Sequence, residues 1–161
     1  MTYVEGRAPE TRADWRRVAD TLCQLHDLTR GWPQRPGWRS STDLVQFDKG
    51  TKIDLDRMPP EGVIRCREAW AWLHGHETCV VHGDTNNSGN VRVTTQRIAL
   101  IDWDEAHVDV AHLDLVLPHN AADLDEHTYD IAAQPSAAWE AAVCWDDEYA
   151  IMQLSKVREV R

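Results

Sequence analysis

Asp84 and Asp102 each stand at the end of an apolar run, in VVHGDTNNSGNVRV (residues 80–93) and IALIDWDEA (residues 98–106), and an amide, Asn90, lies between them in the chain. A loop after Val81 presents Asp84, the next strand starts at Asn90, and a hairpin turning over residues 94–97 returns the chain so that Asp102 reaches the same mouth. Carboxylate and amide oxygens that converge in this way suit Mg²⁺, a hard cation that keeps several waters and binds through one or two carboxylates plus substrate phosphates. An aspartate beside the metal is then free to position a substrate hydroxyl.

The elements that must hold these residues read mostly as helices. Trp15, Val18, Ala19, Leu22, Leu25 and His26 recur at helical spacing and predict a helix over residues 10–28, with Thr11 and Asp14 at its start and Gly31 at its end. Residues 31–60 are rich in Gly, Pro, Ser and Asp and read as a long surface excursion with Trp32, Trp38 and Phe47 as aromatic anchors. Pro59 and Pro60 open a second helix that runs to Leu73 and stops at Gly75. Residues 78–81, 90–93 and 98–101 read as short strands. Three more helices are expected, over 110–117 up to Pro118, over 124–133, and over 135–157. The fold class is therefore α+β, a mostly helical domain in which a few short strands carry the polar cluster on their connections.

A chain of 161 residues with 42% hydrophobic composition fits one domain with a sizeable core. The formal charge of −10, from 27 acidic and 17 basic residues, disfavours nucleic-acid backbones and anionic membranes and favours cationic partners. No apolar run approaches the roughly 20 residues of a membrane span. Cys23, Cys66, Cys79 and Cys144 are scattered without a C-x-x-C pair, and no signal-like segment precedes them, so they read as reduced thiols of a cytoplasmic protein.

The order His82-Gly83-Asp84, then Asn90, then Ile101-Asp102-Trp103-Asp104 resembles the catalytic core of the aminoglycoside phosphotransferase family, which shares the protein-kinase fold. That resemblance implies ATP and Mg²⁺ as cofactors. It implies Asp84 as the catalytic aspartate on the substrate hydroxyl, Asn90 as the amide ligand of one Mg²⁺, and Asp102 as the aspartate between metal and nucleotide phosphates. Asp114, in HLDLV, resembles the aspartate that braces the catalytic loop, and Leu25-His26 is also family-like. Tyr3-Val4-Glu5-Gly6 resembles the hinge where adenine docks. The acidic groups at residues 123–126 and 146–148 resemble in position the region where family members take cationic substrates, although solvated helix faces explain them equally well.

Two departures stand out. Asp84 and Asn90 are six residues apart where the family usually has five, which keeps Asn86 and Asn87 as alternative ligands. No G-x-G-x-x-G and no strand lysine are present, so the expected domain is the C-terminal lobe alone, spanning residues 1–161 without the nucleotide-covering N-terminal lobe.

His82 reads as a structural tether of the loop rather than a general base. The remaining histidines match no zinc spacing. Asp104 and Glu105 read as the start of a following helix, where acids suit the dipole, rather than as added charge around the metals. The leading function is an ATP- and Mg²⁺-dependent transfer of phosphate to a hydroxyl of a small molecule, impaired in this chain because the phosphate-gripping lobe is missing. A non-catalytic lobe that binds a partner, or dimerises through the face its missing lobe would cover, is a second reading. A metal-dependent phosphohydrolase is a third, suggested by G-D and G-N in GDTNNSGN, although Val91 stands where such enzymes carry histidine.

Overall fold

The computed structural model describes residues 4–50 and 52–158. Helix α1 spans Arg12–Thr29 and begins with a capping box: the Thr11 hydroxyl accepts from the Asp14 amide, and the Asp14 carboxylate accepts from the Thr11 amide, both at 3.1 Å. Arg7 adds a two-pronged contact to Asp14 at 2.9 Å. That guanidinium and the amides of Glu10 and Thr11 hold the Asp14 carboxyl far below the usual carboxylate range. Arg7 also exchanges backbone hydrogen bonds with Val93, so one residue ties the entering chain to a helix and a strand.

Two cores follow. Trp15, Val18, Ala19 and Leu22 of α1 pack on Val91 and Val93 of strand β4 (Val91–Val93), together with Leu117 and Ala121. Cys66, Ala69 and Trp70 of helix α2 (Pro60–Ala71) pack on Ala137, Ala138, Trp139 and Ala142 of helix α3 (Glu126–Val143). Leu44, Ile53 and Leu55 from the excursion complete this second core.

The excursion is ordered. It contains a 3-10 turn over Asp43–Val45 and a short antiparallel pair, β1 (Lys49–Gly50) with β2 (Ile53–Asp54). Of its expected anchors Trp38 packs inward, whereas Trp32 and Phe47 stay exposed, Phe47 beneath the Arg39 guanidinium.

Strand β3 (Thr78–Val81) pairs with strand β6 (His107–Val110), and β4 pairs with β5 (Ile98–Leu100), both antiparallel. Strand β6 corrects the expected helix from Val110. All four of its residues are buried, a pattern without period two, and only a 3-10 turn over Ala111–Asp114 follows it. The outer edge of β6 is closed by the Gln34 side chain, which donates to the Val108 carbonyl at 2.7 Å and accepts from its amide at 3.0 Å.

The two expected C-terminal helices are also divided differently. Helix α3 continues through Pro135, where a break is expected, and Pro135 is buried there together with the small residues Ala132, Ser136, Ala137 and Ala138. Trp70 Nε1 donates to the Pro135 carbonyl at 3.3 Å. The chain breaks instead at Cys144, and helix α4 (Glu148–Lys156) starts afresh on Asp147, whose carboxylate accepts from the Tyr149 amide. Among the described residues no helix is long and apolar enough to cross a membrane.

Candidate active site

The catalytic-loop candidates sit between β3 and β4, and a buried carboxylate beneath them sets their backbone. Asp114 takes the amides of His82 at 2.7 Å and Gly83 at 3.0 Å, and the His26 Nε2 hydrogen at 3.0 Å from α1. Burial alone would raise the Asp114 carboxyl, but His26 and the two amides outweigh it and hold it below its ordinary value. Thr85 donates to the Asp114 carbonyl as well, so the loop is pinned on both sides of Asp84.

His82 is fully buried and its tautomer follows from its neighbours. Its Nδ1 faces the Asp84 amide at 3.4 Å and accepts, so its Nε2 carries the hydrogen and donates to the Ile101 carbonyl at 3.0 Å. The ring therefore ties the Asp84 loop to the residue before Asp102, and Trp103 packs on it at 4.7 Å between centroids. Ile101 is held from the other side too, its amide donating to the Asn90 carbonyl at 2.9 Å.

Asp84 is half-buried and receives the Asn90 side-chain amide at 2.6 Å. Burial raises its carboxyl above the ordinary value, the bonds from Asn87 and Asn90 and the His82 ring oppose this, and the charge of Asp102 adds to the rise. Asp102 is exposed and adopts a left-handed backbone conformation at φ 64°, a strained state for a residue with a side chain. The asparagines divide clearly: Asn90 is buried against Asp84, Asn87 caps the Gly89 amide and reaches Asp84 at 3.5 Å, and Asn86 turns away to Glu140. Val4 and Glu5 lie in the extended entry segment before Arg7, Val4 partly buried and Glu5 exposed, and Tyr3 falls outside the described residues.

Asp84 opens onto a cleft of about 620 Å³ lined also by Asn86, Glu105, Glu140, Tyr149 and Lys156. Glu105 does not start a helix, because β6 follows it; it is largely buried on the cleft wall. Its carboxyl is raised by burial and the charge of Asp84, against the opposing charge of Lys52. Glu140 is pushed up to about 7 by burial and the charges of Asp84 and Glu105, while the Tyr149 hydroxyl and the Asn86 amide donate to it at 3.2 and 3.4 Å. Glu140 and Tyr149 had not been singled out by sequence. The available signal was a single acid within the apolar run SAAWEAAV, on a helix face that otherwise buries.

The model of the phosphotransferase enzyme family, APH, matches residues 1–151. The chain belongs to this family. No curated protein matches it. Membership supports a phosphotransferase in general, of α+β, kinase-like architecture.

Proposed function

We propose that this lobe transfers the γ-phosphoryl group of ATP, with Mg²⁺, to a hydroxyl of a small cationic molecule. The observation that carries the reading is Asp84 itself: a half-buried carboxylate, raised by that burial and oriented by Asn90, at the mouth of a cleft with two further carboxylates on its walls.

The chemistry follows from these positions. An acceptor hydroxyl in the cleft donates to Asp84, which takes its proton as the new oxygen–phosphorus bond forms and the bond from the γ-phosphorus to the bridging oxygen of ADP breaks. The raised Asp84 carboxyl is a stronger base than an exposed aspartate. Hard oxygen donors suit Mg²⁺: Asp102 offers an exposed carboxylate, and Asn90, which spends its amide hydrogens on Asp84, keeps its side-chain oxygen for the metal. Mg²⁺ bound there would neutralise charge on the transferring phosphates. On the acceptor side, Glu105 and Glu140 favour ammonium groups, in keeping with the net charge of −10. A cytoplasmic setting, where ATP and Mg²⁺ are supplied, fits the free cysteines.

The test is Mg²⁺-dependent binding of a non-hydrolysable ATP analogue. Asp102→Ala is expected to weaken it at least about tenfold and Asp84→Ala to leave it within about twofold. Unchanged binding in Asp102→Ala contradicts the assignment.

A further inference from the structure

His107 is fully buried and has no part in the mechanism above. Its Nδ1 lies 2.7 Å from the Glu105 carbonyl oxygen, which can only accept, so this nitrogen carries hydrogen. Its Nε2 lies 3.2 Å from Asp109 Oδ2. That carboxylate already receives the Ser41 amide at 2.5 Å, the Ser41 hydroxyl at 2.8 Å and the Val110 amide at 2.8 Å, a set of donors that suits the ionised form. Both ring nitrogens thus face acceptors.

Two indoles stack on the ring, as they would on a cation: Trp139 of α3 at 4.2 Å and 10°, and Trp38 of the excursion at 5.5 Å and 21°, indole faces being the best aromatic partners for a positive charge. The Arg35 guanidinium lies 3.7 Å from the Trp38 ring and donates to the Asp104 carbonyl, so Arg35, Trp38, His107 and Trp139 join the excursion, β6 and α3. The charged groups next to this stack in chain or in contact include Asp109 on the same strand, Glu105 with Lys52 beside it, and Glu140, the residue after Trp139.

We propose that His107 is an imidazolium donating from both nitrogens, and that it is the positioning residue that fixes Glu105, relative to Glu140, in the acceptor cleft. It grips Glu105 through the carbonyl and seats α3 through Trp139. The role in the cleft rests on the function proposed above; the double donation does not.

Two measurements on the intact chain test it without a ligand. In protein labelled with ¹⁵N-histidine, two-bond proton–nitrogen correlation near neutral pH is expected to show both His107 nitrogens carrying hydrogen. His107→Phe keeps a stacking ring but removes both donors, and the Ala106 amide, which closes the turn on the Trp103 carbonyl at 3.2 Å, is expected to exchange with solvent about tenfold faster while Leu22 in α1 keeps its protection. A ring nitrogen of His107 without hydrogen overturns the proposal, and so does unchanged Ala106 exchange in His107→Phe, which would make the ring a filler of the stack. The spectrum of the unmodified protein decides even where the variant does not fold.

Discussion

Asn90 directs its side-chain amide at Asp84 twice, at 2.6 Å to the carboxylate Oδ2 and at 3.0 Å to the backbone carbonyl. One residue therefore both orients the candidate base and closes its loop. The six-residue separation is accommodated by the 3-10 turn over Ser88–Asn90, which folds Asn90 back under Asp84.

Asn90→Ala removes a bond that lowers the Asp84 carboxyl, so Asp84 is expected to titrate higher still, as followed by carboxyl ¹³C NMR. Misplacing the base should reduce turnover about a hundredfold.

Asp114→Asn tests the brace beneath the loop. An amide cannot accept from His26, His82 and Gly83 as a carboxylate does, and leaving a buried donor without its acceptor costs about 1–3 kcal/mol, readable in chemical denaturation. Because the folded Asp114 carboxyl lies below its ordinary value, its stabilisation is present above that value and is lost as pH falls through the folded one. Acid unfolding of the parent below about pH 4 should therefore be blunted in the variant.

Gly83→Ala should fail for steric reasons. Gly83 has φ +89°, and a Cβ there would stand 2.9 Å from the Glu105 carbonyl oxygen. The strain and the clash together are expected to cost about 2 kcal/mol or more and to displace Glu105, seen as a lower melting temperature.

Glu140→Gln gives the opposite sign. The folded carboxyl ionises at about 7 against an ordinary 4.5, so across that window the folded state holds a proton the unfolded chain has lost, and stability falls as pH rises. Above it the ionised group is a standing cost. The variant should be about 1–2 kcal/mol more stable than the parent near pH 8 and show no gain near pH 4, by thermal melts at both.

Local signals carried most of what the sequence revealed. The Thr11–Asp14 capping box, the helical spacing of Trp15, Val18 and Leu22, and the Pro60 helix start each depend on neighbours within a turn or two, and each forms. Strand β6 was misread because HVDV alternates over only four residues, and Val110, Leu113 and Leu117 directly after it recur at helical spacing. Pro135 misled because its own type argues for a break, whereas the Trp70 indole that donates to its carbonyl comes from α2, far away in sequence.

The candidate site divides in the same way. Asp84, Asn90 and Asp102 stand out as candidates because their order along a short segment resembles the family pattern, and Asn90 does fold onto Asp84. Glu105 and Glu140 were not legible as site residues: the lone acid in SAAWEAAV marks Glu140 as unusual, but no local pattern says what either acid faces. Glu140 becomes a site residue only when α3 folds back against the Asp84 loop, a contact spanning more than fifty residues.

The central claim is that Asp84 takes the proton of an acceptor hydroxyl during phosphoryl transfer. The most direct measurement follows ³¹P signals of Mg·ATP with a panel of small amino alcohols, comparing the parent with Asp84→Asn. A new phosphomonoester signal in the parent that falls at least about a hundredfold in the variant, with nucleotide binding retained, is the expected result. Transfer at the parent's rate in Asp84→Asn would contradict it.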